Sequence, residues 1–253
     1  MIDFKSDGHV HTRLCHHARG EMEEYVLAAI ARGLDELIFL EHLEKGVNYI
    51  ESTWLSEDDF AYYHREGRRL KEKYQAKIKV GVGIEVGYNP RRQEEILDFL
   101  NRYPWDRIGI SYHFYEIGGK HYNFVSRKEY NTLAFGAVGV DKVISHYLAG
   151  LLDAVNLLPG TVLCHLDAVL RYHPEVCFGR EHELIINEIF RAMLSKGMAL
   201  EINTSGIALR GQPFPAANFI RVAMAMGIPL VAGSDAHRPD DVGRYFSRIA
   251  EFC

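Results

Sequence analysis

The 253-residue sequence lacks most of the features that would set it apart from an ordinary globular protein. Its four cysteines, Cys15, Cys164, Cys177 and Cys253, show no CxxC spacing, so neither a disulfide framework nor a zinc ribbon is expected and the thiols read as reduced. No apolar run approaches the roughly 18 residues that a membrane span needs. The opening stretch "MIDFKSDGHVH" carries no charged and apolar leader, so secretion is not expected and the cytoplasm is the expected location. Positive charge is not in excess: Lys and Arg number 29 against 34 Asp and Glu, a formal net charge of −5. The basic pairs Arg68-Arg69 and Arg91-Arg92 read as solvated helix faces, and duplex nucleic acid is not an expected partner. No linker, low-complexity segment or short-period repeat divides the chain, so one domain over residues 1–253 is expected.

What is present is a rhythm. Hydrophobic residues make up 47% of the chain, enough for a substantial core. Short apolar runs at 2–6, 36–40, 77–83, 107–111, 161–164, 198–202 and 229–233 predict seven strands. Between them, helical spacing of apolar residues predicts helices over 22–32, 57–74, 92–101, 182–196 and 215–226, with a last one near 240–252. Stretch 120–159 is irregular, with one or two helices. Strand and helix alternating along a whole chain imply parallel strands in a βα barrel or an open α/β sheet.

The chemistry concentrates where strands end. Four of the 13 histidines, His9, His11, His16 and His17, lie within the first eighteen residues. After the predicted strands come Asp7, His9 and His11, then Glu41-His42, Glu85, His113, His165, and finally Asp235 and His237. In a βα barrel the carboxyl ends of the strands converge on one face, where active sites are built. Side chains two apart on extended backbone point the same way, so His9 and His11, or Asp235 and His237, can grip one ion together. A lone strand-end histidine is more often structural, but six such ends together predict a metal site. The remaining histidines, His64, His121, His146, His173 and His182, read as surface or satisfied structural residues. The candidate ligands are His9, His11, His17, His42, Glu85, His113, His165, Asp235 and His237. That is too many for one ion and suits three ions sharing a bridging carboxylate. Imidazole ligands favour zinc, manganese or iron over calcium or magnesium.

These residues resemble the PHP (polymerase and histidinol phosphatase) superfamily, whose motifs are matched in order by "DGHVH", "EH" at 41–42, "GIEVGY" around Glu85, "SYHF" around His113, "CHLD" around His165 and "GSDAH" at 233–237. The stretches "TRLCHHA", "LEINTSG" and "GSDAHRPDDVG" are most similar to its histidinol-phosphate phosphatase branch. The resemblance implies a distorted seven-stranded (β/α)7 barrel of TIM-barrel type. It also implies three ligand groups: His9, His11, Glu85 and Asp235; Glu85 as bridge with His113 and His165; and His17, His42 and His237. His17 rather than His16 takes the third place because it falls at the family's spacing after "HVH". Arg171 and Arg210 match basic positions that bind the substrate phosphate in that branch.

Clustered divalent ions at a barrel mouth suit hydrolysis of a phosphate ester, since they neutralise phosphate oxygens and activate water as hydroxide. The expected substrate is a small phosphomonoester, L-histidinol phosphate under the resemblance, in histidine biosynthesis. Glu85, Asp235 and His237 are the catalytic candidates, and the guanidinium forks of Arg171 and Arg210 would take the phosphate. Asn203 and Ser205 could donate further hydrogen bonds or stabilise a turn. Cys164 is expected to point away from the face His165 uses, and both Cys164 and Cys15 are read as packing residues rather than thiolate ligands. One alternative keeps the ions and changes the substrate, to a nuclease or nucleotide phosphatase with stacking supplied by Tyr88, Tyr112, Phe114, Tyr115 and Tyr122. A non-catalytic module of a polymerase assembly and an amidohydrolase are less well matched, the first because all nine ligands are retained and the second because strand four offers no lysine.

Overall fold

Strands buried on both faces must be apolar along their length, and the runs identified above have that property: β3, Lys79–Gly87, is buried at every position after its first. A computed structural model describes residues 2–173 and 176–253. Seven parallel strands, β1 (Ser6–Val10), β2 (Glu36–Glu44), β3, β4 (Ile108–Ser111), then β7 (Val162–Leu163), β8 (Ala199–Asn203) and β9 (Leu230–Gly233), are hydrogen-bonded in that order. The ring closes at its carboxyl end, where Val10 bridges Ala236 in parallel and the His11 amide donates to the Ala236 carbonyl at 2.9 Å. The fold is thus an α/β barrel of TIM type, with its helices packed outside.

Those helices start where the sequence supplies caps. Helix α1 covers Met22–Ala31, and α2, Glu57–Tyr74, opens on Ser56, whose Oγ accepts from the Asp59 amide at 3.2 Å while the Ser56 amide donates to Asp59 Oδ2 at 3.0 Å. Then come α3 (Gln93–Leu100), α4 (Glu129–Val138), α5 (Val140–Leu157), α6 (Arg180–Lys196), α7 (Ser205–Arg210) and α8 (Ala217–Ala225). Among the described residues no helix is long and apolar enough to cross a membrane.

Three differences from the sequence reading have physical causes. Strand β1 runs over 6–10 instead of 2–6, because buried Asp7 is satisfied inside the sheet by the amides of Ser234 (2.9 Å) and Gly243 (2.7 Å). The expected helix over 240–252 is two 3₁₀ turns, Pro239–Asp241 and Phe246–Glu251, separated where Gly243 and Tyr245 take positive φ and Asp7 anchors the chain. Running into the start of the irregular stretch, Phe114–Ile117 (β5) and Lys120–Asn123 (β6) form an antiparallel hairpin around Gly118 and Gly119, both at positive φ.

The barrel interior is narrow. A Cβ added at Gly109 would stand 2.7 Å from Cys164 Sγ and 2.8 Å from Leu40, so glycine there leaves room for Leu40, Val162 and Cys164 to fill the space beneath the mouth. Away from the barrel, His121, His146 and His182 find hydrogen-bond partners as expected, whereas the buried Nε2 of His64 has none among the described residues. His121 Nδ1 accepts from the Asn48 amide at 3.1 Å, His146 lies 2.9 Å from the Tyr112 hydroxyl, and His182 accepts from the Gly179 amide at 3.1 Å.

His64 stacks on Tyr103 with ring centroids 4.2 Å apart and contacts Trp105 at 4.5 Å. Burial, with Arg68 nearby, pushes its pKa down to about 4. The unfolded chain binds this proton near the ordinary value of about 6.5, so stability is lost as pH falls from there towards 4. Allowing for partial contact with water, His64→Phe should shrink the stability difference between pH 7 and pH 4.5 by about 1 kcal/mol. Urea unfolding at the two pH values checks this, and an unchanged difference would contradict it.

Candidate metal centre at the barrel mouth

Each strand of the barrel brings a polar side chain to the same rim. His9 lies one residue before the end of β1 and His11 follows it; His42 and Glu85 are directly paired on β2 and β3; His113 and His165 follow β4 and β7; Asp235 and His237 follow β9. His165 and Asp235 have positive φ, 26° and 51°, so the chain turns inward at both points. His17 comes from the loop after the 3₁₀ turn Arg13–Cys15. The structure therefore brings all nine candidate ligands to one mouth, while His16 stays exposed with its backbone at φ 65°.

Within the mouth the donor atoms fall into three overlapping groups. Around the first, His9 Nε2 and His11 Nε2 each stand 3.6 Å from Glu85 Oε2, and Asp235 Oδ1 lies 4.0 and 3.4 Å from the two imidazoles. In the second, the other oxygen of Glu85, Oε1, faces His165 Nε2 at 2.8 Å and His113 Nε2 at 3.3 Å. The third joins His17, His42 and His237, with the Nε2 atoms of His17 and His237 2.8 Å apart. Ligands about 2.1 Å from a shared ion are separated by at most about 4.2 Å, so these spacings suit donors that surround cations.

The hydrogen bonds decide what these atoms can hold. His17 Nδ1 donates to the Cys15 carbonyl at 2.9 Å and His237 Nδ1 to the Asp235 carbonyl at 3.0 Å. Burial lowers the pKa of both rings, and nearby His11 lowers them further, so both are neutral. A neutral imidazole with its proton on Nδ1 has a bare lone pair at Nε2, and here two lone pairs face one another at 2.8 Å. Only a cation relieves that. Buried Glu85 Oε2 and His42 Nδ1 likewise lie 2.8 Å apart without hydrogen-bond geometry, and each lacks a hydrogen-bond partner among the described residues. The donor set thus fits several divalent ions.

Electrostatics agree. Burial would raise the pKa of Glu85, yet His113, His42 and His9 outweigh it and hold the carboxyl well below its ordinary range. Asp235 is treated the same way by His11 and His9. Conversely, burial would lower His113, but Glu85 and Glu44 push it up to about 10. In the absence of cations, protons on such imidazoles balance the carboxylates.

A second ring of carboxylates, which sequence reasoning missed, orients the ligands. Glu201 Oε1 accepts from His9 Nδ1 at 2.6 Å, and its Oε2 accepts from the His165 amide at 2.9 Å. Glu44 Oε1 accepts from His113 Nδ1 at 2.8 Å, and Glu41 holds the Thr12 amide and hydroxyl at 2.8 and 2.6 Å. Both missed residues had a signal: Glu201 is the carboxylate of the one strand end given no ligand, and Glu44 follows His42 at the spacing of one strand face.

The other candidates separate. Arg171 lines the cavity above the ligands, 3.9 Å from Asp235 Oδ2, and its buried Nε has no hydrogen-bond partner among the described residues. Arg210 is instead bound to Asp167, whose oxygens lie 2.9 and 3.0 Å from its Nη2, and its guanidinium covers Phe214 at 4.0 Å. Asn203 and Ser205 form a side-chain turn, Ser205 Oγ also standing 3.3 Å from Asp235 Oδ2. Cys164 does not point away as expected. Alternation holds from Val162 to Cys164, which pack together with Leu40, but His165 leaves extended geometry, so both Cys164 and His165 face inward. Cys164 lies within ligand range of His9 and Glu85, and Cys15 within range of His11 and His237, although burial pushes both thiols' pKa up. Of the five aromatics considered for stacking, Phe114 lines the cavity, whereas Tyr88 and Tyr112 are buried in the core.

Residues 7–205 match the family model described as the PHP domain, and residues 218–252 match the one described as PHP-associated. A histidinol-phosphatase of Lactococcus lactis is 32% identical over 209 residues, covering 79% of this chain and 71% of the relative. A solved structure from Listeria monocytogenes superposes with a TM-score of 0.83 at 24% identity, covering 96% of this chain and 99% of its own. The structure of the Lactococcus lactis histidinol phosphate phosphatase, complexed with zinc, L-histidinol and phosphate, gives a TM-score of 0.76 at 25% identity, covering 100% and 94%.

If Glu201 fixes the proton of His9 on Nδ1, Glu201→Gln should weaken zinc binding by about 10- to 100-fold with the fold intact. Competition with a chromogenic chelator measures the change, alongside circular dichroism. Unaltered affinity would show that Glu201 serves packing alone.

Proposed function

The chain belongs to the PHP domain family, and from that membership we propose that it hydrolyses L-histidinol phosphate to L-histidinol and inorganic phosphate. The observation that carries this reading is Glu85, which turns one carboxylate oxygen to each of two histidine groups at the floor of an open cavity of about 850 Å³. Three donor groups support three divalent ions, drawn from zinc, manganese or iron: His9, His11, Glu85 and Asp235; Glu85, His113 and His165; His17, His42 and His237. When bound, such ions neutralise phosphate oxygens and bring the pKa of water towards neutrality.

The protein's own groups do the rest. Arg171 presents a partly exposed guanidinium beside Asp235, suited to a phosphate oxygen, and Ser205 offers a hydroxyl on the same side. Arg210 is held to Asp167 through Nη2 while its buried Nε has no partner among the described residues, and we assign it a supporting place in the phosphate site. Asp235 stands between the ligand cluster and these donors, its Oδ2 towards Arg171 and Ser205, and we assign it to proton handling at the departing alcohol, His237 having both nitrogens committed. Residues 218–252 supply β9, Asp235 and His237 to the same ring as residues 7–205, which supports one domain over 1–253. Four unpaired cysteines support a reducing compartment, the cytoplasm. The net charge of −5 supports a small ester over duplex nucleic acid.

Protein loaded with zinc or manganese should release phosphate from L-histidinol phosphate far faster than from a nucleoside monophosphate or a short oligonucleotide. Glu85→Ala should reduce kcat/KM by about a thousandfold or more. Equal or greater activity on the nucleotide would keep the metal centre and overturn the substrate.

A further inference from the structure

Resting on the histidinol phosphate reading, the geometry points to Glu51 as the residue that recognises the substrate's ammonium group. That substrate is an ester with an anionic end and a cationic one. The ions and Arg171 attract the first and repel the second, so the ammonium needs a carboxylate on another wall of the cavity.

The cavity's carboxylates can be sorted by what they already hold. Glu85 and Asp235 belong to the ligand cluster, and Glu44 is taken by His113. Asp241 stands 3.6 Å from Arg244. Glu51 remains, on the loop between β2 and α2. Its Oε1 accepts from the Lys128 ammonium, and no partner of Oε2 is found among the described residues. A primary ammonium is thus already received by this carboxylate, leaving one oxygen for another.

The wall around it is preformed. Tyr49 is fixed by its hydroxyl, which lies 2.6 Å from that of Tyr130 and accepts from Asn131 Nδ2 at 3.0 Å. The Tyr49 ring meets Phe114 edge-on at 4.9 Å, and both line the cavity. Between Tyr49 and Glu51, Ile50 is 79% exposed, so the loop turns its polar and aromatic neighbours to the cavity and its aliphatic residue to solvent. An aromatic surface next to a carboxylate suits an imidazole ring carrying a nearby ammonium.

Two esters that differ only in the amine separate this role from others: L-histidinol phosphate and 3-(imidazol-4-yl)propyl phosphate. The metal-loaded wild type should prefer the first through KM. Glu51→Gln should raise KM for L-histidinol phosphate about tenfold, with kcat nearly unchanged, and abolish the preference. Lys128→Met, which breaks the same ion pair from the other side, should keep it. If Glu51→Gln weakened both esters equally, or if Lys128→Met reproduced its effect, Glu51 would be acting only as a strap to Lys128 and the assignment would fall. A wild type that cleaves neither ester but does cleave a nucleoside monophosphate would sink the substrate reading itself, a result distinct from either of those.

Discussion

The structure depends on a carboxylate that has no water. Glu85 is fully buried at the centre of the mouth, and an isolated charge in such a place costs several kcal/mol or more. It is sustained because four strands bring imidazoles against its two oxygens: His9 and His11 from β1, His42 from β2, and His113 and His165 after β4 and β7. The carboxylate needs positive charge, and the neutral imidazoles of His17 and His237, whose lone pairs face each other nearby, need it too. Divalent cations satisfy both needs at once, which is why the arrangement reads as a cation centre rather than as a network of buried ion pairs.

The barrel exists in the form that this demand requires. Parallel strands place every carboxyl end at one rim, and a ring of only seven keeps opposite strand ends close enough to share one carboxylate. The narrow ring in turn requires glycine where side chains would collide, as at Gly109, and a small residue, Cys164, beneath the ligand cluster. Glu201 and Glu44 then fix which nitrogen of His9 and His113 faces inward. The open side of the cavity is built by segments outside the barrel, the loop after β2 and the β5–β6 hairpin, so chemistry and selectivity reside in different parts of the chain.

Much of this was legible from residues alone, for identifiable reasons. All seven strands could be read because parallel strands covered on both sides must be continuous apolar runs. The ligands other than His17 could be read because each lies at the end of such a run, whereas His17, in the loop after the Arg13–Cys15 turn, could be read only through the resemblance. Strand β1 was misplaced because Asp7 looks like a loop residue, and only the amides of Ser234 and Gly243, more than two hundred positions away, make it acceptable within the sheet. Glu201 and Glu44 escaped notice because their function is defined by other ligands rather than by strand position. Arg210 was assigned to the phosphate by resemblance, and its bond to Asp167 is a tertiary fact with no local pattern. The terminal helix failed for a similar reason: apolar spacing over 240–252 suggests a helix, but positive φ at Gly243 and Tyr245 breaks it.

The number of ions the mouth holds, and how Glu85 divides them, is the most direct property to measure. Metal content per chain, measured by mass spectrometry after zinc loading and exhaustive desalting, should be close to three for the wild type. His237→Ala should lose one ion, whereas Glu85→Gln should lose more than one, because its two oxygens serve two groups. A wild-type content of one, or equal losses from the two variants, would contradict the shared carboxylate at the centre of this structure.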